Sequence, residues 1–205
     1  MNEIGIIIQA RMDSKRLPGK VLKLIAGKVL IDHILDRIET LNHKVQSIVA
    51  TSNLDIDNLI VNHCSGRVEC FRGDELDVLD RYYKCAKKYG FNHIVRLTAD
   101  NPFTDIDELD RLIELHLAGE YDYSHSLCVM PIGTGAEIFT MNHVAYKGTS
   151  LIVIFGDEVH QIEELPNKEG ITALLRKLLE LQSCSLVLAA TTDNVSELTF
   201  MQEAI

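Results

Sequence analysis

Four cations lie within ten residues near the start of the chain, among residues that form turns: Arg11, Lys15, Arg16 and Lys20, beside Asp13, Ser14, Pro18 and Gly19. Arg presents a planar fork of donors to phosphate oxygens, Lys presents a compact charge, and loop N–H groups supply further donors. A solvated basic loop is the simpler interpretation, but four cations packed beside Gly and Ser are better explained by a polyphosphate. The stretch therefore predicts a phosphate-binding loop.

An unbroken apolar run, Ile4 to Ile8, comes directly before this loop. A short continuous run of this kind is typical of a strand buried on both faces of a parallel sheet. The cations then follow the carboxyl end of a buried strand, which is where open α/β sheets bind their ligands.

The spacing A-R-x-x-S-x-R-x-x-x-K also resembles the opening motif of the cytidylyltransferases that activate sugar acids, the CMP-sialate and CMP-Kdo synthetase group. The resemblance is strongest to the branch named for spore-coat polysaccharide biosynthesis protein F. It implies a Rossmann-like, nucleotide-diphospho-sugar-transferase-like fold and five nucleotide-binding residues, Ala10, Arg11, Ser14, Arg16 and Lys20. Arg11, Arg16 and Lys20 are the expected catalytic residues, because they would neutralise the triphosphate and the departing charge.

The chain has 205 residues and a net charge of −10, and we expect one domain, 1–205. The first 50 residues nevertheless hold eight Lys or Arg against five Asp or Glu, so their net charge is +3 and that of the other 155 is −13. A single basic loop in an acidic protein favours a small anion over nucleic acid as the partner.

No apolar run approaches the ~20 residues that span a bilayer, and Met1 begins no signal-peptide pattern. The five cysteines have no CxxC spacing, which favours free thiols in a reducing cytoplasm. We therefore expect a cytoplasmic protein that does not contact a membrane.

Helical and strand-like periods alternate along the chain, which predicts a mostly parallel α/β sheet with helices on both faces. Polar strand-like pieces from Tyr121 to Phe139 predict an antiparallel segment. The predicted helices are 29–41, a short one through Ile60 capped by Asp55 or Asp57, 77–89 closed by Gly90, 107–117, 172–181 and one after Ser196. The predicted strands after the first are 45–50, 68–71, 93–97, 151–155 and 186–190.

Asp100 comes just after the predicted strand 93–97. It either accepts backbone N–H groups in the turn or ligates a metal, since Mg²⁺ prefers one or two carboxylates together with phosphate oxygens and water. The family resemblance favours the metal, because similar proteins hold the catalytic ion with a strand-end aspartate. Thr98 lies on the same side of the strand as Asp100 and is predicted to contact the nucleotide.

Residues 71–82, F-R-G-D-E-L-D-V-L-D-R-Y, resemble the R-G-x-x-x-D-V-L-D-R-Y segment of the same branch. Arg72 and Gly73 are predicted to lie on a loop that approaches the pyrimidine ring, with Gly73 admitting close backbone contact. A structural role for Arg72 is equally open. Asp77 is better explained as a helix N-cap.

Two later segments resemble elements of the branch less fully. Residues 131–139 resemble its P-x-G-x-x-x-E-x-F element beside the acceptor, so Glu137 is a candidate substrate-binding residue, although alternation also allows a solvent-facing position. Residues 190–198 resemble T-V-D-x-P-E-D-L, with Asp193 on the aspartate. Asp193 follows an apolar run as Asp100 does, so both are predicted to bind Mg²⁺ at one edge of one sheet.

Several other classes are excluded by spacing. Gly19-Lys20 lacks the upstream Gly and the Ser or Thr of a P-loop, no G-x-G-x-x-G follows the first strand, and no G-x-S-x-G elbow is present. The eight histidines form no HxxxH pair, which argues against zinc.

The prediction is transfer of CMP from CTP to a sugar or sugar acid with release of pyrophosphate, in surface polysaccharide biosynthesis. The resemblance also implies a homodimer that pairs through the antiparallel segment. The alternatives are a related nucleotidyltransferase or glycosyltransferase that uses another nucleotide, and a nucleotide-binding protein that has lost catalysis.

Overall fold

The structure is a computed structural model that describes residues 4–14, 16–119, 121–127, 129–141, 166–167 and 193–194. The chain divides into two compact units, residues 1–141 and 142–205, and each is described by itself. The single-domain prediction stays a prediction. The predicted elements 151–155, 172–181, 186–190 and the helix after Ser196 lie outside the described residues.

The first unit is built on a six-stranded sheet. Its strands, with a short hairpin of two more, are β1 (Ile4–Gln9), β2 (Leu24–Ile25), β3 (Lys28–Val29), β4 (Gln46–Ser52), β5 (Glu69–Gly73), β6 (His93–Thr98), β7 (Tyr123–His125) and β8 (Glu137–Thr140). The helices are α1 (Leu30–Ile38), α2 (Asn58–Cys64), α3 (Val78–Tyr89) and α4 (Ile106–Ala118). The order across the sheet is β5-β4-β1-β6-β8-β7.

Strands β5, β4, β1 and β6 run parallel, whereas β8 runs antiparallel to both β6 and β7. The predicted mostly parallel sheet and its antiparallel segment are therefore confirmed. In the second unit, β9 (Pro166–Asn167) and β10 (Asp193–Asn194) form a two-stranded antiparallel sheet.

Strand β1 is central because its isoleucines are covered on both faces. Ile6, Ile7 and Ile8 have no exposed surface, and β-branched residues pack well on a pleated surface with neighbours on both sides. Gly5 is required where it stands, since an added Cβ would lie 2.3 Å from the Phe91 ring.

Helices cover both faces of the sheet. Ile6 and Ile8 share one core with side chains of α1, α2 and α4, among them Ile34, Ile60 and Ile113. By the period of two, Ile7 points to the opposite face. Helix α3 packs on that face. The rings of its Tyr82 and of Phe139 in β8 pack edge to face, with their centroids 6.3 Å apart.

Capping residues explain where two of the helices begin and end. Asp77 accepts a hydrogen bond from the Asp80 amide at 2.8 Å, and Gly90 ends α3 in the left-handed conformation, as predicted. The expected start of α4 at Asp107 is slightly late, because Asp105 caps the helix by accepting from the Glu108 amide at 2.9 Å.

One local expectation is wrong, and one hairpin was not predicted. Neither Asp55 nor Asp57 caps α2 with its side chain, because Asp57 turns instead toward β4 and the loop after β1. The hairpin β2–β3 was not expected, since its turn places the non-glycine Ala26 at φ +51° before Gly27. Within the described ranges, no helix is long and apolar enough to cross a membrane.

Candidate active site

The crevice between the carboxyl ends of β1 and β6 is the point where the strand order reverses. From β1 the chain builds β4 and β5 on one side, and then it crosses to β6 on the other side of β1. Gln9 lies opposite Thr98, and the Ala99 amide donates to the Gln9 carbonyl at 2.8 Å, so the two following loops leave the sheet together. Ligands bind at such switch points in open α/β sheets.

The loop after β1, residues 10–20, closes upon one peptide group. The Met12 carbonyl accepts from the amides of Ser14 at 3.0 Å and Gly19 at 2.8 Å. Gly19 has φ +67°, a conformation that a residue with a Cβ adopts at a cost. This closure leads directly into a short 3₁₀ helix, Lys20–Leu22.

The loop presents its cations differently. Lys20 forms an ion pair with Asp100, and the Lys20 side chain is 25% exposed. Within the described part of the chain, Arg11 and Arg16 have no ion-pair partner, and Arg16 is exposed. Lys15 lies outside the described residues.

The two smaller loop residues named from the sequence are buried. Ala10 is 2% exposed, and its amide donates to the Ala50 carbonyl of β4 at 3.0 Å. The Ser14 hydroxyl accepts from the Leu17 amide at 3.4 Å. Ala10 holds the loop on the sheet and Ser14 stabilises the loop itself, and their contact with a nucleotide stays a prediction.

Asp100 stands at the end of β6 with its side chain 37% exposed. Burial alone would raise the pKa of Asp100, but hydrogen bonds from Lys20 and Thr98 outweigh it and hold the pKa below its ordinary 3.8. The group is therefore an ionised carboxylate at neutral pH. Thr98 forms a hydrogen bond with Asp100, and its predicted contact with the nucleotide is untested.

Asp57 was not recognised from the sequence as part of the site. It is 1% exposed, and it accepts from the Met12 amide at 2.8 Å, the Ser52 amide at 3.1 Å and the Ser52 hydroxyl at 2.5 Å. Burial opposes its charge, but the bonds from Ser52 and Met12 prevail and lower its pKa. Met12 and Asp57 are 45 positions apart, so no local pattern could reveal the contact.

Arg72 fastens the turn that contains Asp57. Its guanidinium donates to the carbonyls of Ser52 at 2.9 Å and Leu54 at 2.6 Å, and to the side chain of Asn58. Gly73 allows Arg81 of α3 to pack closely, since an added Cβ would lie 3.0 Å from the Arg81 Cγ. Both residues end β5 rather than lie on a loop, as was expected, because they pair with Thr51 and Ser52 of β4. The contacts of Arg72 support its structural alternative, and the approach of both residues to a pyrimidine stays a prediction.

Glu137 is buried rather than solvent-facing. Its carboxylate lies 3.3 Å from the Arg96 guanidinium of β6 and accepts from the Tyr123 hydroxyl of β7 at 3.3 Å. Burial raises the pKa of Glu137 above its ordinary 4.5, although Arg96 and Tyr123 act in the opposite direction. Whether it contacts an acceptor is untested.

The predicted partnership of Asp100 with Asp193 extends over both units and stays a prediction. Asp193 lies within β10, opposite Asn167. The strand 186–190, which was expected to bring Asp193 to this edge, lies outside the described residues, so the expectation of one common sheet is untested. Among the described residues, no group of three or more His, Cys, Asp or Glu side chains is arranged to hold a metal.

Comparison with known proteins agrees with this arrangement. Residues 5–148 match the cytidylyltransferase family, which is well over half of the chain. Over 147 residues the chain is 37% identical to the spore coat polysaccharide biosynthesis protein SpsF of Bacillus subtilis, covering 69% of this chain and 61% of that protein. It spans about three fifths of the length of such curated relatives.

Solved structures extend the likeness to the fold. A cytidylyltransferase from Leptospira borgpetersenii is 32% identical with a TM-score of 0.65, over 69% of this chain and 62% of that one. CMP:2-keto-3-deoxy-manno-octonic acid synthetase, solved in complex with CTP, is 17% identical, and a TM-score of 0.57 over 99% of this chain and 100% of that one indicates a shared fold. This chain belongs to the cytidylyltransferase family.

Proposed function

We propose that the protein transfers CMP from CTP to an oxygen of a sugar or sugar acid, releasing pyrophosphate, in the synthesis of a surface polysaccharide. The observation that carries the proposal is the meeting of Lys20 and Asp100, 80 positions apart, where β1 and β6 end. A basic loop and an ionised carboxylate at a switch point suit a metal-bound triphosphate. The likeness to a spore coat polysaccharide biosynthesis protein supports the pathway.

The chemistry requires positioning and charge neutralisation. The acceptor oxygen attacks the α-phosphorus, a new P–O bond forms, and the bond to the departing pyrophosphate breaks roughly in line with it. Arg11, Arg16 and Lys20 neutralise the charge that develops on the leaving group. Phosphate oxygens of a bound triphosphate would compete with Asp100 for the Lys20 ammonium.

The residues present fit a magnesium ion. Asp100 offers one ionised, half-exposed carboxylate, and Mg²⁺ commonly takes one or two carboxylates and completes its shell with phosphate oxygens and water. Asp100 would hold the ion, with Asp193 as the second proposed ligand. The ion would supply further neutralisation of the phosphate charge.

The first experiment is pyrophosphate release with CTP, Mg²⁺ and a panel of sugar acids, beside thermal stabilisation by each of the four nucleoside triphosphates. We expect CTP to stabilise most, because only the preferred base adds binding energy to the shared phosphates. Stabilisation by another base would indicate a related nucleotidyltransferase. Stabilisation by CTP without release for any acceptor would contradict catalysis.

The metal pair is tested by Asp100→Asn, Asp193→Asn and the double variant. If both ligate one ion, either single change removes most activity and the double change is little worse, since groups that act as a unit are strongly non-additive. If the activity losses of the two single variants multiply in the double variant, the two aspartates have independent roles. A fully active Asp193→Asn enzyme would leave Asp100 as the sole protein ligand.

We also propose a homodimer formed through the segment from Tyr121 to Phe139. Val129 and Ile132 in this segment are large apolar side chains exposed to solvent, as expected of an interface. Light scattering should give twice the chain mass, and Ile132→Glu should lower it toward that of one chain. A monomeric wild type would contradict the proposal.

We further propose that the protein works in the reducing cytoplasm. Cys64, Cys70 and Cys85 are all free thiols, and such thiols persist in reducing compartments. Cells are lysed directly into denaturant that contains an alkylating reagent. The mass of the protein should then show that these three cysteines are modified. A disulfide between any two of them would contradict the assignment.

A further inference from the structure

Met12 is the residue upon which the phosphate-binding loop closes. Its carbonyl accepts both the Ser14 and Gly19 amides, and Gly19 leads directly into Lys20. Its side chain packs against the core of the sheet. Whatever fixes the backbone of Met12 therefore helps to fix the start of the turn that carries Lys20.

The other backbone polar group of Met12, its amide, is held by Asp57. The Met12 amide donates to Asp57 Oδ1 at 2.8 Å, while Asp57 Oδ2 takes the Ser52 amide and hydroxyl. A carboxylate suits this place because it accepts on both oxygens at once. An asparagine has a single accepting oxygen, and its NH₂ group would face another donor.

The turn that carries Asp57 is itself anchored. Arg72 of β5 donates to Ser52 at the end of β4, to Leu54 in the turn 53–57 that carries Asp57, and to Asn58 at the start of α2. The Asn53 amide also donates to the Gly73 carbonyl at 2.9 Å. Asp57 thus stands on a turn that is tied to a strand of the sheet, from which it reaches across to the loop.

We propose that Asp57 is a positioning residue for nucleotide binding, which rests on the proposed function of the loop. It touches neither the phosphates nor the metal ligand in this role. Through Met12 and Gly19 it sets where Lys20 stands relative to Asp100. Arg72 contributes by holding the turn of Asp57, which gives that residue a role that needs no contact with the base.

The test is Asp57→Asn, with Ser52→Ala and Asp55→Asn as matched controls. Ser52→Ala removes one bond to the same carboxylate but leaves the Met12 contact, and Asp55 is an exposed carboxylate in the same turn. Binding of CTP and of CMP is measured for each variant, together with hydrogen exchange of the Met12 and Gly19 amides in the unliganded protein.

In Asp57→Asn we expect CTP affinity to fall by about 10- to 100-fold, the effect of losing a hydrogen bond to a charged group, while CMP affinity changes much less. Exchange of the Met12 and Gly19 amides should accelerate, with that of the β1 amides unchanged. Ser52→Ala should lose stability yet keep the CTP-to-CMP ratio, and Asp55→Asn should resemble the wild type.

An unchanged CTP-to-CMP ratio in Asp57→Asn, or unchanged Met12 exchange, overturns the inference. If the wild type itself does not prefer CTP over CMP, the proposed function of the loop fails, whereas Met12 exchange still reports whether Asp57 holds it. If Asp57→Asn does not fold, wild-type exchange decides: the Met12 amide must exchange more slowly than that of its exposed neighbour Asp13, and equal rates overturn the inference.

Discussion

Two carboxylates near the carboxyl end of β6 face cations in different surroundings. The Asp100 and Lys20 side chains are 37% and 25% exposed, whereas those of Glu137 and Arg96 are 9% and 15% exposed. The pKa of Asp100 lies below its ordinary value, because hydrogen bonds outweigh its partial burial. The pKa of Glu137 lies above its ordinary value, because burial prevails.

The difference indicates which pair can exchange partners. An exposed pair gains little from its own attraction, so phosphate or metal can replace either member at small cost. A mostly buried pair has lost most of its water, and removing one member leaves the other charge without its counter-charge. We infer that Lys20 and Asp100 take part in the reaction, whereas Arg96 and Glu137 stabilise the sheet.

The largest expected effect is on the exposed pair. Lys20→Ala should lose roughly 10²–10³ in kcat, the scale of removing one preorganised charge stabiliser, with an unchanged circular dichroism spectrum. Lys23→Ala, which removes an exposed cation three positions along, is the control. Normal turnover in Lys20→Ala would mean that the loop is only a solvated surface.

The buried pair should respond in stability instead. Arg96→Met removes the cation beside Glu137 and leaves that buried carboxylate without its counter-charge, so we expect a loss of about 3 kcal/mol in the free energy of unfolding. Asp100→Asn should lose less than about 1 kcal/mol, since its pair is exposed. Urea unfolding of the two variants checks this contrast, and equal losses would remove the distinction between the pairs.

The salt dependence of nucleotide affinity should distinguish the two pairs by a smaller effect. CTP should bind more tightly than CMP, and the gap should narrow between roughly 0.1 M and 1 M salt, as the screening length falls from about 10 Å to about 3 Å. Glu137→Gln should keep the gap, because the buried pair does not meet the β- and γ-phosphates. Equal affinity for CTP and CMP at low salt would exclude the loop from contact with those phosphates.

The smallest expected effect is an opposite pH dependence. With its folded pKa above 4.5, Glu137 binds protons more readily in the folded state, so wild type gains stability relative to Glu137→Gln as the pH falls through that folded pKa. With its folded pKa below 3.8, Asp100 does the reverse, and wild type loses stability relative to Asp100→Asn as the pH falls below 3.8. Unfolding free energies measured from about pH 7 to pH 3 test both signs.

Much of the fold was predictable because its signals are local. The run Ile4 to Ile8 indicates a buried strand, and Asp77 and Gly90 mark the ends of α3. The type of each element follows from the period of its apolar residues, which a short window contains. The hairpin β2–β3 was missed because Ala26 adopts a conformation that its residue type does not announce.

The burial of Glu137 illustrates what a strand pattern leaves open. Glu137 alternates with apolar neighbours, which is equally typical of a solvated face and of a face covered by another layer. Only the packing of the sheet decides that its side chain meets Arg96 and Tyr123.

The sequence by itself determined that a cationic loop follows one buried strand and that Asp100 follows another, since both statements concern neighbours in the chain. The tertiary structure decided that Lys20 meets Asp100, because that depends on β6 crossing to the far side of β1. It also decided that Asp57 holds Met12. Contacts over 45 and 80 positions form only when the sheet order brings the loops together, and that order is a property of the whole packed domain.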